Sequence, residues 1–214
     1  AVAISTSTMP ARLVKDAKQM LISYMGQTNI EYGNNKKFAR TKFDKNSLKK
    51  SDKELKALNK RNTENFNYMW LKIFDAIKED KTIVTPLLHW LSGSTNEGTH
   101  PQRIGAELTY IDRTATGKLE FEHALPNASA YRLLIEAAIN QNKKDFTKTL
   151  QTLQDNYKLI VMSKKDSNKL EAAGYKEAMP EGWNIFDNNW WERYFNEKVL
   201  AQGGINPENF TSIL

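Results

Sequence analysis

The feature that most constrains the fold is a run of large apolar residues, spaced three and four positions apart, within residues 63–79. These side chains share one face of a helical wheel, and they are Phe66, Met69, Trp70, Ile73, Phe74 and Ile77. A helix with such a stripe is stable when the stripe packs against other elements. The spacing therefore predicts a core helix with one strongly apolar face.

The remaining periodicity predicts further helices and a few short strands. Helices are expected at residues 12–25, 51–59, 129–154 with an interruption near residues 140–144, 167–173 and 188–201, the last being rich in aromatic residues. Ser51 and Glu54 have the spacing of a capping box. Strands are expected at residues 107–111, 119–121 and 157–162, with the first two in a hairpin-like arrangement around a turn at residues 116–118. We therefore expect an α+β fold that is mostly helical.

Composition limits the available chemistry. The 214 residues include no cysteine, which excludes disulfides, thiol catalysis and thiolate zinc sites. The net charge is +6, yet residues 33–62 alone carry eleven basic and three acidic side chains, a net charge of +8. The basic character is therefore local, and we expect this segment to attract a polyanion. An ordinary solvated, lysine-rich surface is the alternative explanation.

The sequence also indicates a boundary and a cellular location. The longest uncharged stretch, residues 82–96, is 15 residues long and is too short to span a bilayer, so no membrane partner is expected. Residues 1–6 lack the basic and apolar regions of a signal peptide, which favours the cytoplasm. The turn-rich residues 92–98 predict a division into a helical basic N-terminal region, residues 1–95, and a second region, residues 99–214.

Three histidines are available for acid–base chemistry. His89 lies in an apolar stretch and is expected to be buried, whereas His100 precedes a proline in a turn. His123 instead stands at the end of a predicted strand, directly after Glu122. Because an imidazole titrates at about pH 6.5, it suits proton removal at neutral pH. His123 is therefore the candidate general base.

His123 and residues 155–170 together resemble the ββα-metal fold of HNH nucleases. They supply, in order, a strand, an acidic residue with the histidine, a connection, a second strand and a helix that carries Asn168. The likeness is to the HNH domains of RNA-guided CRISPR effectors and of modification-dependent restriction enzymes, and it covers residues 105–175. Two departures are visible. Glu122 stands where the CRISPR type has Asp, and residues 130–154 form an additional helical pair.

The resemblance implies a role for each matching residue. His123 would deprotonate the attacking water, and Asn156 would tie the loop between the strands and help to orient the imidazole. Glu122 and Asn168 would bind the metal, with Asp166 as the second choice for the latter ligand. A register with Ser167 as the ligand is also open. Hard oxygen ligands suit Mg²⁺, or Mn²⁺ in its place.

The implied function is metal-dependent cleavage of DNA, with RNA as the alternative substrate, in a phage or mobile-element protein. Contacts with phosphates are expected from basic residues near the site and in the basic segment, namely Lys164, Lys165, Lys169, Arg132, Lys36, Lys37, Arg40, Lys42, Lys49 and Lys50. The alternative function is non-catalytic: nucleic-acid binding, or assembly of a virus or mobile element, by a degenerate HNH fold.

Overall fold

The computed structural model describes residues 47–85, 106–187 and 189–214. In these ranges the protein is an α+β structure with more helix than strand, which confirms the predicted class. The helix expected at residues 12–25 lies outside the described residues, as do His89 and His100.

A mixed four-stranded sheet lies at the centre of the fold. Its strands are β1 (Glu107–Asp112), β2 (Leu119–His123), β3 (Lys158–Ser163) and β4 (Phe210–Ser212), in the order β2-β3-β1-β4. Strand β3 pairs with β1 in parallel and with β2 in antiparallel orientation, and β4 is antiparallel to β1.

Strands β1 and β2 do not form the expected hairpin, because β3 lies between them. From Leu159 to Ser163 every residue of β3 is buried, whereas most residues of β1 and all of β2 are only half-buried. A strand that is apolar on both faces is most stable in the middle of a sheet, covered on both sides. Strand β3 therefore lies between β1 and β2, although these two strands follow each other in the sequence and are joined by a short connection.

Six α-helices surround the sheet in the described part of the chain. They are α1 (Asp52–Glu79), α2 (Asn127–Asn140), α3 (Lys143–Asn156), α4 (Lys164–Ala172), α5 (Glu192–Phe195) and α6 (Glu197–Leu200). None of the helices in the described part of the chain is both long and apolar enough to cross a membrane.

Helix α1 is one helix of 28 residues where the sequence suggested two. The predicted capping box is confirmed: the Ser51 hydroxyl accepts from the Glu54 N–H, and the Glu54 carboxylate accepts from the Ser51 N–H at 2.9 Å. No glycine or proline lies between residues 52 and 79 to end the helix, so it continues without a break.

The C-terminal aromatic helix expected at residues 188–201 is divided into α5 and α6. Asn196 separates them, because its side-chain oxygen accepts from the N–H groups of Lys198 at 3.0 Å and Val199 at 3.2 Å. An asparagine in this position starts a new helix. The interruption expected near residues 140–144 is confirmed, and there Asn142 caps α3 in the same way.

The two faces of the sheet are covered by different elements. Helices α1, α2 and α3 cover the first face, where Phe66 and Leu153 share a core with Leu108 and Val161. Helix α4 and the C-terminal segment, residues 189–214, cover the second face. The core there contains Ile160, Met162, Leu170, Tyr194 and Val199. Buried residues from both sides of the predicted boundary thus belong to one core on the first face.

Asn59 fixes α1 to the sheet. Strand β4 pairs only with residues 110–112 of β1. Beside that pairing, the Asn59 amide donates to the Leu108 carbonyl at 3.1 Å and accepts from the Leu108 N–H at 3.0 Å. Since buried backbone groups need partners, this side chain takes the place of a neighbouring strand.

Candidate functional site

The candidate site lies at the end of β2, and its two predicted residues point to opposite faces of the sheet. Glu122 is paired with Ile160 and His123 with Leu159 in the antiparallel register. Because successive side chains of a strand alternate, Glu122 faces the second core and His123 the first. The contacts of each side chain agree with this placement.

The His123 imidazole packs on the aromatic core of the first face. Its ring is stacked on that of Tyr157 with 5.5 Å between the centroids, and Tyr157 is stacked in turn on Phe66 at 5.0 Å. Burial, and then the positive charge of Arg193, lower the pKa of His123 from 6.5 to about 4. The imidazole is therefore neutral at pH 7, but a base with a pKa near 4 is poorly matched to proton removal at that pH.

The Glu122 carboxylate is bound by Arg193. Its Oε1 accepts from Arg193 Nη2 at 2.5 Å, and the arginine side chain is fully buried. Arg193 Nη1 also donates to the backbone carbonyl of His123 at 2.5 Å. The second oxygen of Glu122 accepts from the Ser167 hydroxyl at 3.5 Å. The structure therefore brings β2 close to α4, with the cation of Arg193 at their junction.

Of the three candidate ligands near the start of α4, Asp166 and Asn168 do not contact Glu122. Asp166 belongs to the cap of α4: its carboxylate accepts from the Ser163 hydroxyl at 2.7 Å and pairs with Lys169 at 2.7 Å. Asn168 lies on the exposed side of α4. The helical turn thus directs Ser167 toward Glu122 and carries Asn168 away from it.

Asn156 is the last residue of α3, and its side chain is buried and bonded to the backbone. Its amide nitrogen donates to the carbonyl of Thr152 at 3.0 Å and to that of Ile185 at 3.4 Å. These bonds join α3 to residues 185–187, and not to a loop beside His123. Its side-chain oxygen is buried and has no partner among the described residues.

Two of the oxygen donors that the resemblance assigns to a metal are engaged by other side chains in this structure. The carboxylates of Glu122 and Asp166 are occupied by Arg193, Lys169 and hydroxyl donors. Across residues 47–85, 106–187 and 189–214, no group of three or more acidic or histidine side chains could hold a metal ion. We therefore derive no catalytic step through a metal.

The lysines expected to contact phosphates near this site are largely paired with acidic groups. Lys164 lies 3.8 Å from Glu120, and Lys169 pairs with Asp166 and donates to the Gly204 carbonyl. Lys165, on α4, and Arg132, on α2, are exposed. Lys36, Lys37, Arg40 and Lys42 lie outside the described residues.

A second cluster of cations, which we call the basic face, surrounds the start of α1. Its members are all exposed, and they are Lys49, Lys50, Lys53, Lys56, Lys60 and Arg61. Lys53, Lys56 and Lys60 follow one another at steps of three and four and therefore form a row about 10 Å long. In the described part of the chain, the basic face makes one ion pair, between Lys60 and Glu64 at 4.0 Å, with both side chains more than half exposed.

Sequence reasoning missed Arg193. The aromatic residues of 188–201 predict a helix but assign no role to the arginine that lies between Trp191 and Tyr194. A single arginine within an aromatic stripe is an available signal, because a cation enclosed by apolar side chains needs a carboxylate partner.

Comparisons with known proteins add no family to this description: no protein-family model, curated protein or solved structure matches the chain.

Proposed function

We propose that the protein binds nucleic acid through the basic face, with the sheet and its helices as a rigid support and without catalysis at Glu122 and His123. The observation that carries the proposal is the row of exposed lysines at the start of α1. The engagement of Glu122 by Arg193 supports the non-catalytic part of it.

The position of these cations is unfavourable for the isolated helix. Like charges three or four residues apart repel one another, and cations near a helix N-terminus oppose the helix dipole. Lys53, Lys56 and Lys60 meet the first condition, and Lys49, Lys50 and Lys53 lie at the positive end of α1, where Asp52 and Glu54 offset part of their charge. The nearby Glu54 carboxylate is engaged by Ser51, whose hydrogen bonds lower the pKa of Glu54. An anionic partner would relieve both penalties.

The proposal is tested by binding of a fluorescent DNA duplex to the full chain, followed by anisotropy from about 50 mM to about 200 mM salt. In Lys56→Gln/Lys60→Gln we expect at least about tenfold weaker binding at the low salt concentration, and a salt slope smaller by about one for each lysine removed.

The matched control is Lys144→Gln/Lys148→Gln on α3. These two lysines are also exposed and also lie four residues apart on a helix. The control removes the same charge from a different surface, so we expect its affinity to stay within about twofold of the original protein. Equal losses in the two variants, with both still folded by circular dichroism, would refute binding through the basic face.

A second candidate function, metal-dependent DNA cleavage, is favoured by one observation. Strands β2 and β3 are antiparallel and are followed directly by α4, and Ser167 of that helix contacts Glu122. This is the order of elements in the ββα resemblance, with α2 and α3 inserted between the two strands.

Incubation with supercoiled plasmid separates the two functions. With Mg²⁺ or Mn²⁺, compared with EDTA, we expect no metal-dependent nicking. Nicking that requires the metal and disappears in His123→Ala, while DNA binding stays within a few-fold, would establish the nuclease instead.

A further inference from the structure

We infer that the basic face recognises the phosphate backbone of duplex DNA without reading its base sequence. This inference rests on the proposed function and specifies its ligand. Three features of residues 49–64 carry it: both amide side chains are buried, nearly all the cations are lysines, and there is no aromatic residue.

The amide side chains that could read base edges in this stretch are on the buried side of α1. Asn59 is bonded to both backbone groups of Leu108, and Asn62 donates to the Ala106 carbonyl at 3.4 Å. Both asparagines are buried. Asn and Gln are the usual readers of adenine, and here the sheet holds the two available amides away from solvent.

The cations of the basic face are suited to phosphates more than to bases. Five of the six are lysines, and Arg61 is the exception. A lysine is a flexible point charge, whereas the planar fork of arginine makes the common bidentate contact with guanine. Phosphate contacts position a protein on DNA but carry no sequence information.

Single strands are the less suitable ligand for this surface. Proteins that bind single-stranded nucleic acid stack its bases on aromatic side chains, and residues 49–64 contain no aromatic residue. A duplex has a higher charge density than a single strand, so the same lysines release more counterions from it. The basic face should therefore prefer the duplex.

The test is a competition assay on the full chain, with a labelled duplex displaced by unlabelled duplexes of unrelated sequence and by a single strand of equal length. We expect the duplexes to compete within about threefold of one another and the single strand to compete several-fold more weakly. Arg61→Lys keeps the charge and removes the fork, and we expect it to leave these ratios unchanged.

A sequence preference above about tenfold would overturn the inference, and its loss in Arg61→Lys would show that this arginine reads the bases. A single strand that competes as well as the duplex would also overturn it. None of these results would affect the proposed function, because DNA would still be bound. The proposed function fails separately, if no duplex is bound or if Lys56→Gln/Lys60→Gln binds as tightly as the original protein.

Discussion

At the scale of single residues, His123 links the fold to pH. Its folded-state pKa of about 4 lies below the value of 6.5 expected in the unfolded chain, so the unfolded state binds more protons between these two values. The contribution of His123 to stability is therefore complete above about pH 6.5 and is lost as the pH falls toward 4. The shift corresponds to a loss of at most about 3 kcal/mol in the free energy of unfolding.

The variant that isolates this effect is His123→Phe, which keeps a ring against Tyr157 and removes the titrating group. We expect urea unfolding at pH 7, 6, 5 and about 4 to show a smaller acid loss of stability in the variant than in the original protein. Carboxylates titrate in both proteins and so cancel in the comparison. Parallel stability curves would show that His123 carries the same proton affinity folded and unfolded.

At the scale of elements, the features that follow from local pattern were predictable. The apolar stripe of α1, the capping box at Ser51 and the β-branched strand β3 each depend on neighbours in the sequence, and the structure confirms them. The placement of β3 between β1 and β2 was not predictable in this way, because strand order depends on which strand must be covered on both faces.

The candidate site shows the same limit at closer range. The sequence places Glu122 and His123 next to each other at the end of a strand, and the resemblance assigns both to one site. In the structure β2 continues through His123, so strand alternation separates the two side chains. The aromatic stripe indicates that Arg193 needs a carboxylate, but it does not indicate that Glu122, 71 residues earlier in the chain, is that carboxylate.

At the scale of the whole molecule, Arg193 connects the C-terminal segment to the end of β2. It bonds Glu122 and the His123 carbonyl, while Tyr194 and Val199 beside it fill the core of the second face. Closure of that face therefore depends on both apolar packing and one buried ion pair. Removing one partner of a buried pair leaves the other charge without compensation, which is strongly destabilising.

We expect Arg193→Met to lower the free energy of unfolding by about 3 kcal/mol and to raise amide hydrogen exchange across residues 189–214 first. Lys176→Met is the control: its partner is Glu171 at 3.0 Å, both side chains are more than half exposed, and its loss should lower the stability much less than the loss of Arg193. Glu122→Gln/Arg193→Met should be less destabilised than Arg193→Met alone, since no half-buried carboxylate is left without its cation. If Arg193→Met and Lys176→Met were equally stable, and exchange in residues 189–214 were unchanged, the C-terminal segment would be held by its apolar contacts alone.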